Sequence, residues 1–171
     1  MGDGRKEDAD EAPHDELGAV QRTIEVTDNA IGDAPILPEL LAQIPQEEPI
    51  DRVSSDGAYD TRACHAAIAQ RGSMVVIPPR KNGRPWKQDA PGVQTHHDAL
   101  RACQRLGPKV WRSWNGYHRR SLVETKMHCF KLLGERVTAL TFERQVVELH
   151  VRVALLNRFT QLGRPEAVAV A

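Results

Sequence analysis

Between Leu17 and Arg80 the sequence changes hydrophobic period several times, and this alternation narrows the architectures open to the chain. Thr23, Ile24, Glu25 and Val26 alternate polar and apolar as a strand with one buried face does, and Asp28 and Asn29 then form a turn. Asp33 stands as an N-cap ahead of Ile36, Leu37, Leu40, Leu41 and Ile44 at helical spacing, closed by Pro45. IDRVSSDGAYD, residues 50–60, reads as a second short strand entering a tight turn at Asp56 and Gly57. Thr61 caps the alanine-rich helix TRACHAAIAQRG, and Gly72 supplies its left-handed stop. SMVVIPPR is a compact apolar strand ended by Pro78 and Pro79, since proline cannot continue a central ladder. Strand, helix, strand, helix, strand in that order predicts an α/β fold with a largely parallel sheet.

Residues 80–98, RKNGRPWKQDAPGVQTHHD, have no period and read as a surface loop. Helical sequence resumes at Ala99, with interruptions at Gly107 to Pro108 and at Gly116. A last helix from Phe142 carries Val146, Leu149, Val153, Leu156 and Phe159 on one face and stops at Gly163. Residues 1–16 hold 7 acids against 2 bases and only Met1 as a hydrophobic side chain besides alanine, so a mobile tail is expected there. The domain then runs over 17–163, and 164–171 are expected to fray.

The net charge of zero conceals two opposed halves. Residues 1–70 carry 5 bases and 16 acids, whereas residues 71–144 carry 15 bases and 5 acids. A basic block of that size points to a polyanionic partner. No apolar run approaches the roughly 20 residues that span a bilayer, and the acidic start is unlike a secretory leader, so no membrane partner and a cytoplasmic location are expected. Cys64, Cys103 and Cys129 are too widely spaced for a zinc knuckle and odd in number, and read as reduced thiols.

On a helix beginning at Tyr117, about 100° per residue puts Tyr117, Arg120, Glu124, His128 and Lys131 on one stripe about 80° wide. Leu122, Val123, Met127, Phe130 and Leu133 take the other side. Pairs at i, i+4 such as Arg120 with Glu124, or Glu124 with His128, also decorate ordinary solvated helices.

The spacing of Tyr117, Arg120, Glu124 and Lys131 nevertheless resembles the Tyr-Arg-Glu-Lys signature of bacterial insertion-sequence transposases of the DDE class, and SSDGAYDT resembles the strand end that carries their second catalytic aspartate. The similarity runs from about Arg22 through TDNAIGDAP, PPRKNGRPWK and WNGYHRRSLVETK to NRFTQLG, in the family's order. It implies an RNase H-like fold, a mixed sheet flanked by helices, in which two Asp and one Glu hold two divalent cations, Mg²⁺ or Mn²⁺. Asp56 and Glu124 match two of those metal-ligating, catalytic carboxylates. Hard carboxylate oxygens suit such ions, which activate a water or a DNA 3′-OH and stabilise the leaving oxygen.

The resemblance also implies that Arg120 and Lys131 face phosphates near the scissile bond and that Tyr117 meets the DNA end. Arg80, Lys81, Arg84 and Lys87, with Trp86 among them, form a loop suited to tracking phosphates and stacking on bases; a solvated basic loop would read the same. Trp111 and Trp114, at i, i+3, read as packing residues. The first aspartate of the family's set has no counterpart, because Asp28 and Asp33 fall on ordinary TDN and GDAP positions. The expectation is therefore an N-terminally truncated transposase, its sheet lacking N-terminal strands and inactive alone, with DNA, a second copy or a full-length transposase as partner. The alternative is a noncatalytic DNA-binding or dimer-interfering remnant.

Overall fold

The computed structural model describes residues 20–27, 30–87, 90–117 and 121–163. The acidic tail, the turn at Asp28 and Asn29, Arg120 and the C-terminal eight residues lie outside the described residues. The chain is mixed α/β and mostly helical. A 3-10 turn over Ala34–Ile36 leads into α1, Leu37–Ala42. Strand β1, Arg52–Ser54, is followed by a 3-10 turn over Gly57–Tyr59 and by α2, Arg62–Gln70. Strand β2, Met74–Val76, then pairs with β1 in parallel, Val53 facing Val75. Helices α3, Val93–Leu106, α4, Pro108–Trp114, α5, Ser121–Leu132, and α6, Phe142–Leu162, complete the order.

This βαβ unit holds the core. Leu37 and Leu41 of α1 and Cys64 and Ile68 of α2 close over Val75 and Ile77, with Ile50, Val53 and Tyr59 at the margin. The local chemistry that makes α2 is as the sequence suggests: the Thr61 hydroxyl accepts the Cys64 N–H at 3.3 Å, and Gly72 adopts φ +71° after the last turn. Thr61→Ala is expected to cost about 1 kcal/mol, read as a lower urea midpoint with unchanged slope.

Three expectations are corrected. Thr23 to Val26 form no strand. Gln21 instead exchanges two hydrogen bonds with the Asn157 side chain of α6, at 2.8 and 2.7 Å, and the segment lines a groove with Met127, Phe130, Leu149 and Val153. A side-chain amide thus satisfies the backbone N–H and carbonyl of Gln21, two residues ahead of the alternating segment. The sheet among the described residues is a parallel pair, a small part of the mixed sheet expected of an RNase H-like fold. Second, α3 begins at Val93, six residues before Ala99, because Gly92 at φ +81° turns the chain and Val93, His96 and Leu100 are buried.

Third, Tyr117 stands outside α5, which is described over Ser121–Leu132. Its apolar side is only partly covered: Leu122, Phe130 and Leu133 are half-buried, while Val123 and Met127 are exposed. On α6, Val153 and Leu156 are buried as the pattern requires, but Phe142 and Phe159 stay exposed. The α5–α6 connection is pinned by Arg152, which donates to the Gly134 and Arg136 carbonyls at 2.6 Å, and by Glu148, which accepts from the Thr138 and Ala139 amides. Those amides hold the Glu148 carboxyl below its ordinary range. No helix among the described residues is long and apolar enough to cross a membrane.

Candidate functional site

Asp56 stands where the two parallel strands end. Ser55 still donates to the Val76 carbonyl, at 3.3 Å, and the next residue leaves the sheet with ψ 176°. Its Oδ1 accepts the Ala58 N–H at 2.9 Å and so caps the Gly57–Tyr59 turn. Gly57 packs close: a Cβ there would lie 3.3 Å from the Pro78 carbonyl just past β2. The carboxyl ends of parallel strands are where open α/β sheets carry ligand-binding groups.

Beneath this turn lies a buried polar cluster. Asp60 Oδ1 lies 3.1 Å from His65 Nε2 and 3.4 Å from His96 Nε2, and its Oδ2 accepts the Arg80 N–H at 3.0 Å. Both imidazoles are 1% exposed. Trp86 stacks on His96, with centroids 3.7 Å apart and planes 3° apart, and meets His65 edge-on at 5.1 Å. Its backbone N–H donates to His97 Nε2 at 2.9 Å. Burial by itself raises the Asp60 pKa, but the hydrogen bonds from His65 and Arg80 and the neighbouring imidazoles outweigh it, and the net shift is downward. Burial lowers the His96 pKa.

The cluster fixes the loop that follows β2. The Arg80 side chain turns back onto the Asp56 turn, Nε donating to the Gly57 carbonyl at 3.2 Å and Nη2 to the Ala58 carbonyl at 2.9 Å. Lys81, Arg84 and Lys87 are exposed. Trp86 is half-buried with its ring stacked on His96, so it is part of the packing. Trp111 is 5% exposed, as expected of a packing residue, whereas Trp114 is 79% exposed.

The signature helix carries the other carboxylate. Glu124 lies in the first turn of α5, where the helix N-terminus favours an anionic side chain, and Lys131 in its last. Glu124, His128 and Lys131 are all exposed, as one polar stripe demands. Tyr117 is half-buried, with the Arg112 guanidinium 5.6 Å from its ring centre. The approach to the helix is tied to β1, for Arg52 Nη1 donates to the Asn115 carbonyl at 3.0 Å, and Gly116, at φ +63°, leaves that guanidinium room.

The described residues thus bring Asp56 and Arg80 to one turn and place Glu124 and Lys131 on one helix face. Among them no group of three or more His, Cys, Asp or Glu side chains is arranged to hold a metal ion. Asp56 and Glu124 have the oxygen chemistry for a hard cation, but the described donor set is not a complete two-metal site. The buried cluster escaped the sequence reading, although one signal existed: Val93, His96 and Leu100 at i, i+3, i+7 place His96 on an apolar helix face.

The described residues form an α/β domain with a carboxylate at the open end of a parallel strand pair, beside a cationic loop. The family model for the transposase DDE domain matches residues 14–158, most of the chain. The chain belongs to the transposase DDE domain family. No solved structure matches it. Membership places the chain in DNA transposition, with DNA as the family's substrate and divalent-metal chemistry as its means.

Proposed function

We propose that this chain belongs to the Tyr-Arg-Glu-Lys subgroup of insertion-sequence transposases and is part of an RNase H-like catalytic domain that cleaves and joins transposon ends. In this reading Asp56 and Glu124 are the metal-ligating carboxylates. Tyr117, Arg120 and Lys131 meet the DNA near the scissile phosphate, Arg as a bidentate fork and Lys as a point charge. Lys81, Arg84 and Lys87 follow the backbone further along. The observation that carries the reading is the position of Asp56, capping a turn at the carboxyl end of the parallel pair, 68 residues before a Glu124 on an exposed polar stripe.

When bound, a divalent pair would supply charge stabilisation at the phosphorus centre. Asp56 and Glu124 would hold it, and the cationic loop would anchor the strand. Two carboxylates alone make a weak ion site, so the 171-residue chain by itself is inert toward DNA in this reading. Mn²⁺ titration followed by electron paramagnetic resonance tests it. Binding is expected to be weak and to fall with either Asp56→Asn or Glu124→Gln; two variants that bind as the parent does would refute a shared site. Mn²⁺-dependent nicking by the chain alone, abolished by Glu124→Gln, would overturn the inertness.

The second reading, a noncatalytic DNA-binding or dimer-interfering form, draws on the same incomplete donor set among the described residues. It requires salt-sensitive DNA binding that no metal affects. In both readings, Ala at Lys81, Arg84 and Lys87 together should reduce the slope of log K against log salt by about 0.9 for each DNA phosphate that is no longer neutralised.

A further inference from the structure

We propose that Arg80 is a positioning residue for Asp56, held in place by the buried Asp60, and that its guanidinium orients the Asp56 carboxylate and does not track phosphate. The inference rests on the reading of Asp56 as a metal-ligating residue. The geometry behind it is one peptide unit gripped from both ends. The Gly57 carbonyl and the Ala58 N–H belong to the same planar group and point in opposite directions. Arg80 Nε donates to that carbonyl at 3.2 Å, and the Ala58 N–H donates to Asp56 Oδ1 at 2.9 Å.

Rotating the peptide to release Arg80 would therefore also withdraw the donor that sets the Asp56 side chain. Arg80 Nη2 adds a second bond, at 2.9 Å to the Ala58 carbonyl, so the fork spans two successive peptides and stops either from turning alone. Two of the three guanidinium nitrogens are committed in this way.

Arg80 is itself fixed from below. Its backbone N–H donates to Asp60 Oδ2 at 3.0 Å, while Asp60 Oδ1 is held between the imidazoles of His65 and His96, both 1% exposed. The path from buried cluster to candidate ligand is Asp60, Arg80, the 57–58 peptide, Asp56. The path is buried at Asp60 and exposed at Arg80 and Ala58, and each link is a hydrogen bond, the kind of support that holds a metal-ligating carboxylate in one orientation.

Amide exchange by NMR on the full chain tests the inference, with Mn²⁺ binding measured on the same samples. Arg80→Ala is expected to speed exchange of the Ala58 amide about tenfold relative to the amides of α2, and to weaken Mn²⁺ binding without changing the salt slope for DNA. Arg80→Lys, which keeps the charge but offers no fork, should accelerate Ala58 in the same direction, and it serves if Arg80→Ala fails to fold. Lys81→Ala should leave Ala58 unchanged. Unchanged Ala58 exchange in both Arg80 variants, or a salt slope reduced by about 0.9 in Arg80→Ala, overturns the positioning role and returns Arg80 to the DNA surface. Mn²⁺ binding that Asp56→Asn does not affect overturns the metal reading instead, whatever the Arg80 variants show.

Discussion

Asp60→Ala is expected to destabilise the chain by about 3–5 kcal/mol, a large part of what holds a domain of this size together. The substitution leaves the buried His65 and His96 and the Arg80 N–H without their common acceptor. Urea denaturation of the variant should show a much lower midpoint, and a loss below about 1 kcal/mol would mean that the cluster is not a structural keystone.

The same cluster sets a pH dependence. The pKa values of His96 and Asp60 both lie below their ordinary values in the folded chain. Wherever the unfolded chain binds more protons, stability falls as pH falls. The His96 contribution is complete above its unfolded value of 6.5 and is lost as pH drops below it. The Asp60 contribution is lost in turn as pH falls below 3.8 and through its lower folded value. His96→Phe, which keeps a ring against Trp86, should flatten the limb below pH 6.5. An unaltered limb in that variant would remove His96 from the account.

Gly92→Ala is expected to cost about 3 kcal/mol or more, from two causes acting together. The backbone is at φ +81°, which side chains with a Cβ rarely adopt, and the added Cβ would lie 2.5 Å from the His65 carbonyl oxygen. The obstacle is backbone and cannot swing aside. Gly72→Ala provides the control: at φ +71°, with nothing within 4 Å of the new Cβ, it carries the conformational strain alone, about 1–2 kcal/mol. Equal urea midpoints for the two variants would show that the close approach of α3 to α2 is not tight.

The α1–β1–α2–β2 unit was legible because each of its signals acts locally. Thr61 caps the helix that follows it, Gly72 stops it, and Pro78 and Pro79 end the strand, all through groups a few residues apart. The Asp56 turn was legible for the same reason, since its side chain bonds two residues on. Where the expectation depended on a distant partner it failed. Thr23 to Val26 alternate as a strand should, yet they form none; Ile24 to Val26 line a groove with α5 and α6, while Gln21 just ahead bonds to Asn157, 136 residues away.

His96 and Trp86 sat in a stretch read as a loop because polarity and missing period were all it offered. Burial against Asp60 and His65 made one a core residue and the other its stacking partner. Arg80 shows the division most sharply. As one cation among four in a basic loop, it is indistinguishable in sequence from Lys81, Arg84 and Lys87. All four are exposed, and the fold alone turns the Arg80 guanidinium onto two carbonyls.

By itself the sequence determined most of the helical segments and where the strand pair turns, and it offered a resemblance to a transposase family. Caps, periods and motif spacings are properties of neighbouring residues. Only the tertiary structure decided which charges are spent inside the fold and which face outward, because burial and hydrogen-bond partners depend on residues brought together from far along the chain.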